Sequence, residues 1–144
     1  MSEAQDYAQF LFDGGLNCAE STVASLSRFL GVESHLIPQI ATGFGGGFAR
    51  TKGVCGAVTG AVMGLGLLFG RNQAQESKEI CYQKTQEFIN SFLETFGSLN
   101  CFELSGIDFN TPQGARLYRE KAHSERCVRL VRFAVEKVLS LRPE

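Results

Sequence analysis

The chain has 144 residues, of which 44% are hydrophobic and 20% charged, an ordinary globular composition that excludes a disordered chain. That length suits one domain, residues 1–144, with a core large enough to need no staples. A net charge of −1 and a pI near 6.1 leave no electrostatic footprint for nucleic acid or an anionic membrane.

In chain order the pattern is helical, with glycines as punctuation. Residues 4–12 predict a short leading helix that stops at Asp13-Gly14-Gly15. Asn17, with Glu20 three residues later, is a capped start, so a helix runs from Cys18 to about Leu30, with Val23, Leu26 and Leu30 as its apolar stripe and Gly31 ending it. A short helix is expected over Leu36–Ala41. The glycine-rich stretch GFGGGFARTKGV follows, then an apolar helix from Cys55 to Phe69.

The longest helix is expected over Gln73–Phe96, with Ile80, Cys81, Phe88, Ile89, Phe92, Leu93 and Phe96 on one side. Cys101 falls in a turn-like connection, SLNCFELSGIDFN. Thr111-Pro112 is a cap followed by a first-turn proline and opens a helix to about Lys121. A last helix runs from about Ser124 to Leu141, burying Cys127, Leu130, Val131, Ala134, Val138 and Leu141. No strand alternation or repeat stands out, and twelve Phe with no Trp suggest a phenylalanine-rich core. The fold class is all-α, a compact helical bundle with a glycine-rich apolar helix at its centre.

That helix is weighed against a membrane span. No charge occurs in the 18 residues between Lys52 and Arg71, yet six of them are glycine, which lowers both hydropathy and helix stability. Gly56, Gly60 and Gly64 are four apart and make a smooth ridge for another helix, in this chain or in a second copy. A buried central helix is the preferred reading. The N-terminal sequence has no basic start and no long apolar run, so the expected compartment is the cytoplasm, where thiols stay reduced.

The five cysteines carry the chemistry. An odd count in a reducing compartment points to catalysis, redox sensing or metal binding rather than a permanent disulfide framework. Cys18 and Cys55 both open helices, where unpaired N–H groups and the helix dipole favour a thiolate. Cys55 is the first choice for a low-pKa nucleophile, with Arg50 and Lys52 just upstream adding positive potential. The plain alternative for each is a small residue filling a core. Cys127 lies on the stripe of the last helix with His123 one turn earlier, which could bond a thiolate but more often sits at a core edge. Cys101 says little alone, and Cys81 reads as core.

Other motifs fail. The glycine stretch lacks the Gly-Lys-Ser/Thr of a phosphate loop, since Lys52 lies between Thr51 and Gly53, and Phe48 takes the place of the third dinucleotide-binding glycine. No C-x-x-C is present, which removes local zinc and thioredoxin-type signatures.

Taken together, NCAES around Cys18, GFGGGF followed by VCGAVTG around Cys55, then Cys101 and Cys127, resemble a family of redox-active proteins known by the signature C-GCAxxG-C-C. The resemblance runs from about Phe10 to Leu139. Here the central motif reads Cys-Gly-Ala rather than Gly-Cys-Ala. It implies four shared cysteines, Cys18, Cys55, Cys101 and Cys127, and leaves Cys81 out. The expected function is thiol–disulfide redox chemistry needing no cofactor, with a redox partner protein or a small thiol as partner. The alternative is a soft-metal site, an iron–sulfur cluster or zinc, on the same four residues.

Overall fold

The computed structural model describes residues 2–143. Helix α1 (Glu3–Asp13) starts at Ser2, whose hydroxyl accepts from Gln5 N while the Gln5 side chain returns to Ser2 N. Helix α2 (Cys18–Leu30) has the same reciprocal cap from Asn17 and Glu20, as expected. It ends at Gly31, φ 73°, a left-handed position that favours glycine. The Leu36–Ala41 helix is displaced: a 3-10 helix runs over Gln39–Phe44 instead, and Ala41 packs there on Ala19 and Val23 of α2.

Helix α3 (Gly56–Phe69) is the glycine-ridged element, and it lies against α2 and against the later helices over Glu79–Phe96 and Val128–Ser140. A Cβ added at Gly56 would meet Ala19 N at 2.9 Å, one at Gly60 would meet Ala19 O at 2.8 Å, and one at Gly64 would meet Leu26 Cδ1 at 2.5 Å. The ridge is therefore occupied within the chain by α2.

Helix α4 (Glu79–Phe96) is shorter at its start than expected. Residues 71–78 are turns and bends, in which the Arg71 guanidinium donates to the carbonyls of Ala74 and Glu76 and the Asn72 amide donates to the Glu76 carboxylate. These local bonds compete with the helix ladder. Phe88 and Phe92 are fully buried, and Phe133 packs edge to face on Phe92 and Phe96 with centroids 5.9 and 5.2 Å apart. Ile80 and Leu93, placed on the buried side by periodicity, are exposed.

Cys101 does not sit in a turn: it opens a short helix, α5 (Cys101–Ser105), with Asn100 Oδ1 accepting from Glu103 N. The two helices expected over Thr111–Lys121 and Ser124–Leu141 are not separated. Helix α6 (Pro112–Leu117), a π-helix (Tyr118–Cys127) and α7 (Val128–Ser140) follow one another without a break. In the wider turn the Val128 amide reaches back five residues to His123 O. No strand occurs among the described residues, only an isolated antiparallel bridge between Val54 and Asn100. The fold is all-α. No helix among the described residues is long and apolar enough to cross a membrane.

Candidate functional site

The glycine stretch forms the site's scaffold. After the 3-10 helix, Gly45–Phe48 makes one helical turn in which Gly46 (φ 67°) and Gly47 (φ 70°) are left-handed. The handedness persists through Phe48 (φ 59°), Ala49 (φ 54°) and Arg50 (φ 69°). Ala49, Arg50 and Thr51 amides donate to the carbonyls of Gly45, Gly46 and Gly47, so this is a turn of left-handed helix. Such a turn costs roughly 1–2 kcal/mol at each non-glycine residue. Strain of this kind collects at functional sites, where the surroundings hold it.

Here the holding contacts join the cysteine-bearing segments. Asn17 Nδ2 donates to Thr42 O at 3.0 Å, and Gly45 lies against the Asn17 side chain so closely that no Cβ fits. A Cβ at Gly47 would lie 2.6 Å from Cys101 Cβ. The Cys101 amide donates to Gly53 O, the Cys55 amide to Leu99 O, and Asn100 Nδ2 to Lys52 O. Asn110 Nδ2 donates to Arg50 O. Asn17 and Asn100 thus each cap a helix that begins with cysteine and fix the loop beside it.

Around this scaffold is a cavity of about 610 Å³, and Cys18, Cys55, Cys101 and Cys127 all line it. They come from the starts of α2, α3 and α5 and from the last residue of the π-helix. All five cysteines are free thiols, and Cys81 on α4 does not line the cavity and is half-buried rather than core.

The thiols are electrostatically unequal. Cys55 caps α3 with the Ala57 and Val58 amides facing its sulfur, as its helix-start position predicts, but it is 3% exposed. Burial outweighs the amides and pushes its pKa up to about 12. The expectation of a low-pKa Cys55 is therefore reversed. Cys101 is also raised by burial, in part offset by the Ser105 hydroxyl. Cys18 is raised because its S–H donates to Cys127 and because it is buried. Cys127 is the exception: the hydrogen bond from Cys18 and the neighbouring Arg126 charge lower it against the pull of desolvation. Of the four cavity thiols, Cys127 is the one whose proton affinity is lowered.

His123 is occupied elsewhere. Its Nε2–H donates to Phe12 O at 3.2 Å, its ring stacks on Phe12 at 3.9 Å, and Nδ1 lies 4.0 Å from Asp13 Oδ1. It pins the π-helix to the end of α1, the core-edge role. Lys52, expected to act on Cys55, instead pairs with Asp108 at 3.4 Å. Four cysteines on one cavity would invite a metal, but among the described residues no group of three or more His, Cys, Asp or Glu is disposed to hold one. Lining one cavity is thus not enough to make the four cysteines a ligand set, and the residues present do not fit the metal alternative.

Sequence reasoning missed Tyr118, which lines the cavity from the π-helix and whose hydroxyl is raised by burial and by Cys18. It also missed the Arg126–Cys127 adjacency as the source of local charge. Asn-Cys-x-Glu at 100–103 repeats the spelling at 17–20 and marked the helix start at Cys101.

A family model described as "Putative redox-active protein (C_GCAxxG_C_C)" matches residues 16–141. No curated protein and no solved structure matches.

Proposed function

Because the chain belongs to the C_GCAxxG_C_C family of redox-active proteins, we propose that its chemistry is thiol–disulfide exchange, with Cys127 as attacking thiolate and Cys18 as resolving thiol. The observation that carries this reading is that Cys18 and Cys127 line one cavity, where each shifts the other's proton affinity, raising Cys18 and lowering Cys127. Thiolates attack disulfides and thiols do not, so the difference between Cys127 and Cys55 decides the assignment.

The steps balance. The Cys127 thiolate attacks one sulfur of a substrate disulfide, forming a mixed disulfide and releasing one substrate thiolate, which takes the Cys18 proton. The Cys18 thiolate then attacks Cys127 Sγ and releases the second substrate thiolate. The substrate disulfide gains two electrons, and Cys18 and Cys127 are left joined. An external dithiol reverses the sequence. Cys55 and Cys101 are held protonated by burial and serve as a second pair or as cavity wall.

A thiol titration tests the proposal. Wild-type protein treated with a small disulfide should fall from five reactive thiols in the unfolded, quenched sample by two per turnover, reversibly with dithiol. Cys127→Ser should abolish the loss. Cys18→Ser should stop it at a mixed disulfide on Cys127. Stoichiometric zinc or iron, lost on substitution of these residues, would instead favour the soft-metal reading.

A further inference from the structure

The rim of the cavity bears on what can enter it. Cys127 is only 4% exposed and Cys55 3%, so a substrate sulfur meets them through the cavity and not at an open surface. A volume of about 610 Å³ is in the range of small-molecule sites, about 300–1,000 Å³.

Two exposed arginines line the same cavity, Arg50 from the left-handed turn and Arg119 from the π-helix. Among the described residues no carboxylate pairs with either one, and neither guanidinium has a hydrogen-bond partner. No Asp or Glu is among the lining residues. Two carboxylates that neighbour lining residues are engaged: Asp13 lies 4.0 Å from His123, and Glu20 accepts from the Asn17 amide and the Thr42 hydroxyl.

Arg50 also bears a conformational cost. At φ 69° a glycine or asparagine would be less strained, yet an arginine stands there, its amide held by Gly46 O and its carbonyl by Asn110. Free guanidinium groups on the cavity that holds the buried thiols can recognise carboxylates bidentately.

Resting on the exchange chemistry proposed above, we infer that the cavity's substrates are small disulfides bearing carboxylates, engaged by Arg50 and Arg119 as their sulfurs reach Cys127. The exchange is the one already written: the dicarboxylate disulfide is reduced to two thiols, and Cys18 and Cys127 are oxidised to a disulfide.

The test uses three symmetrical probes on the full chain: 3,3′-dithiodipropionate (anionic), 2-hydroxyethyl disulfide (neutral) and cystamine (cationic). The rate of Cys18–Cys127 disulfide formation is read by acid quench and mass spectrometry. For each probe the variant-to-wild-type rate ratio cancels the probe's intrinsic reactivity. In Arg50→Gln/Arg119→Gln the anionic-to-neutral rate ratio should fall about tenfold, the scale of electrostatic steering into a cleft, and the cationic-to-neutral ratio should rise. Arg50→Lys/Arg119→Lys should restore part of the anionic preference, and added salt should erode it in the wild type. Unchanged ratios in the Gln variant, including an equal slowing of all three probes, overturn the inference and leave the exchange chemistry standing. Failure of every probe to join Cys18 to Cys127 in the wild type overturns the exchange chemistry itself.

Discussion

Cys55 and Cys127 show how position and environment divide the control of a thiol. Both sulfurs have favourable groups nearby, backbone amides for Cys55 and the Cys18 hydrogen bond with Arg126 for Cys127. Cys55 is dominated by desolvation and Cys127 by its bond. In a Cys81→Ser background, the alkylation rate of Cys127 should titrate below the free-thiol value of about 8.5. Removing the donor with Cys18→Ala should move that midpoint up. An unchanged midpoint would show that Cys18 does not hold the Cys127 proton affinity down. Helix-start cysteines were readable at this scale from Asn17 and the glycines. Which thiol ionises was not readable, because burial and the partner across the cavity come from segments more than a hundred residues apart.

At the scale of elements, three devices shape the cavity: the glycine ridge, the left-handed turn and the π-helix. The ridge was legible, since glycines four apart on one helix have few other uses. Its packing predicts opposite signs for two similar changes. Gly60→Ala gains about 1 kcal/mol of helix propensity but drives a methyl group to 2.8 Å from Ala19 O and 2.9 Å from Thr22 Cβ. Overpacking of about 1–3 kcal/mol should win, giving net destabilisation by chemical denaturation. Gly66→Ala meets nothing within 4 Å and should stabilise by about 0.5–1 kcal/mol.

The left-handed turn was not legible. Its glycines advertise freedom, but Phe48, Ala49 and Arg50 carry no signal for positive φ; the bonds from Asn100, Asn110 and the Gly45–Gly47 carbonyls impose it. Ala49→Gly should therefore stabilise the fold by about 0.5–1 kcal/mol, the strain relieved being larger than the added freedom of the unfolded chain. The same denaturation measurement checks it, and a loss of stability would contradict the strained geometry. The π-helix was hidden for a related reason. Its sequence, YREKAHSERC, is polar and loosely periodic, and its wider turn is anchored by His123 on Phe12.

For the whole molecule, burying thiols makes stability depend on pH. Cys18, Cys55 and Cys101 have folded pKa values raised above their unfolded ones. Their contribution is fully present below about 8.5 and is lost as pH rises through the folded values, about 12 for Cys55. Cys127 is lowered, so its contribution is lost in the other direction, as pH falls through its folded value. Thermal unfolding under reducing conditions should show a fall in Tm above pH 8.5 that is shallower in Cys55→Ala. An identical slope would place the Cys55 thiol in water.

The all-α class and the order of helices followed from caps and periodicity, while the gathering of α2, α3, α5 and the π-helix around one cavity depends on loop contacts that no local pattern encodes. The proposed exchange requires two sulfurs, far apart in the chain, to lie near enough to exchange a bond. Oxidising the full chain with one equivalent of a small disulfide, blocking the remaining thiols and mapping the peptides by mass spectrometry measures that directly. The predicted product is an intramolecular Cys18–Cys127 disulfide; a mixture of intermolecular bonds, or a pairing through Cys81, would contradict it.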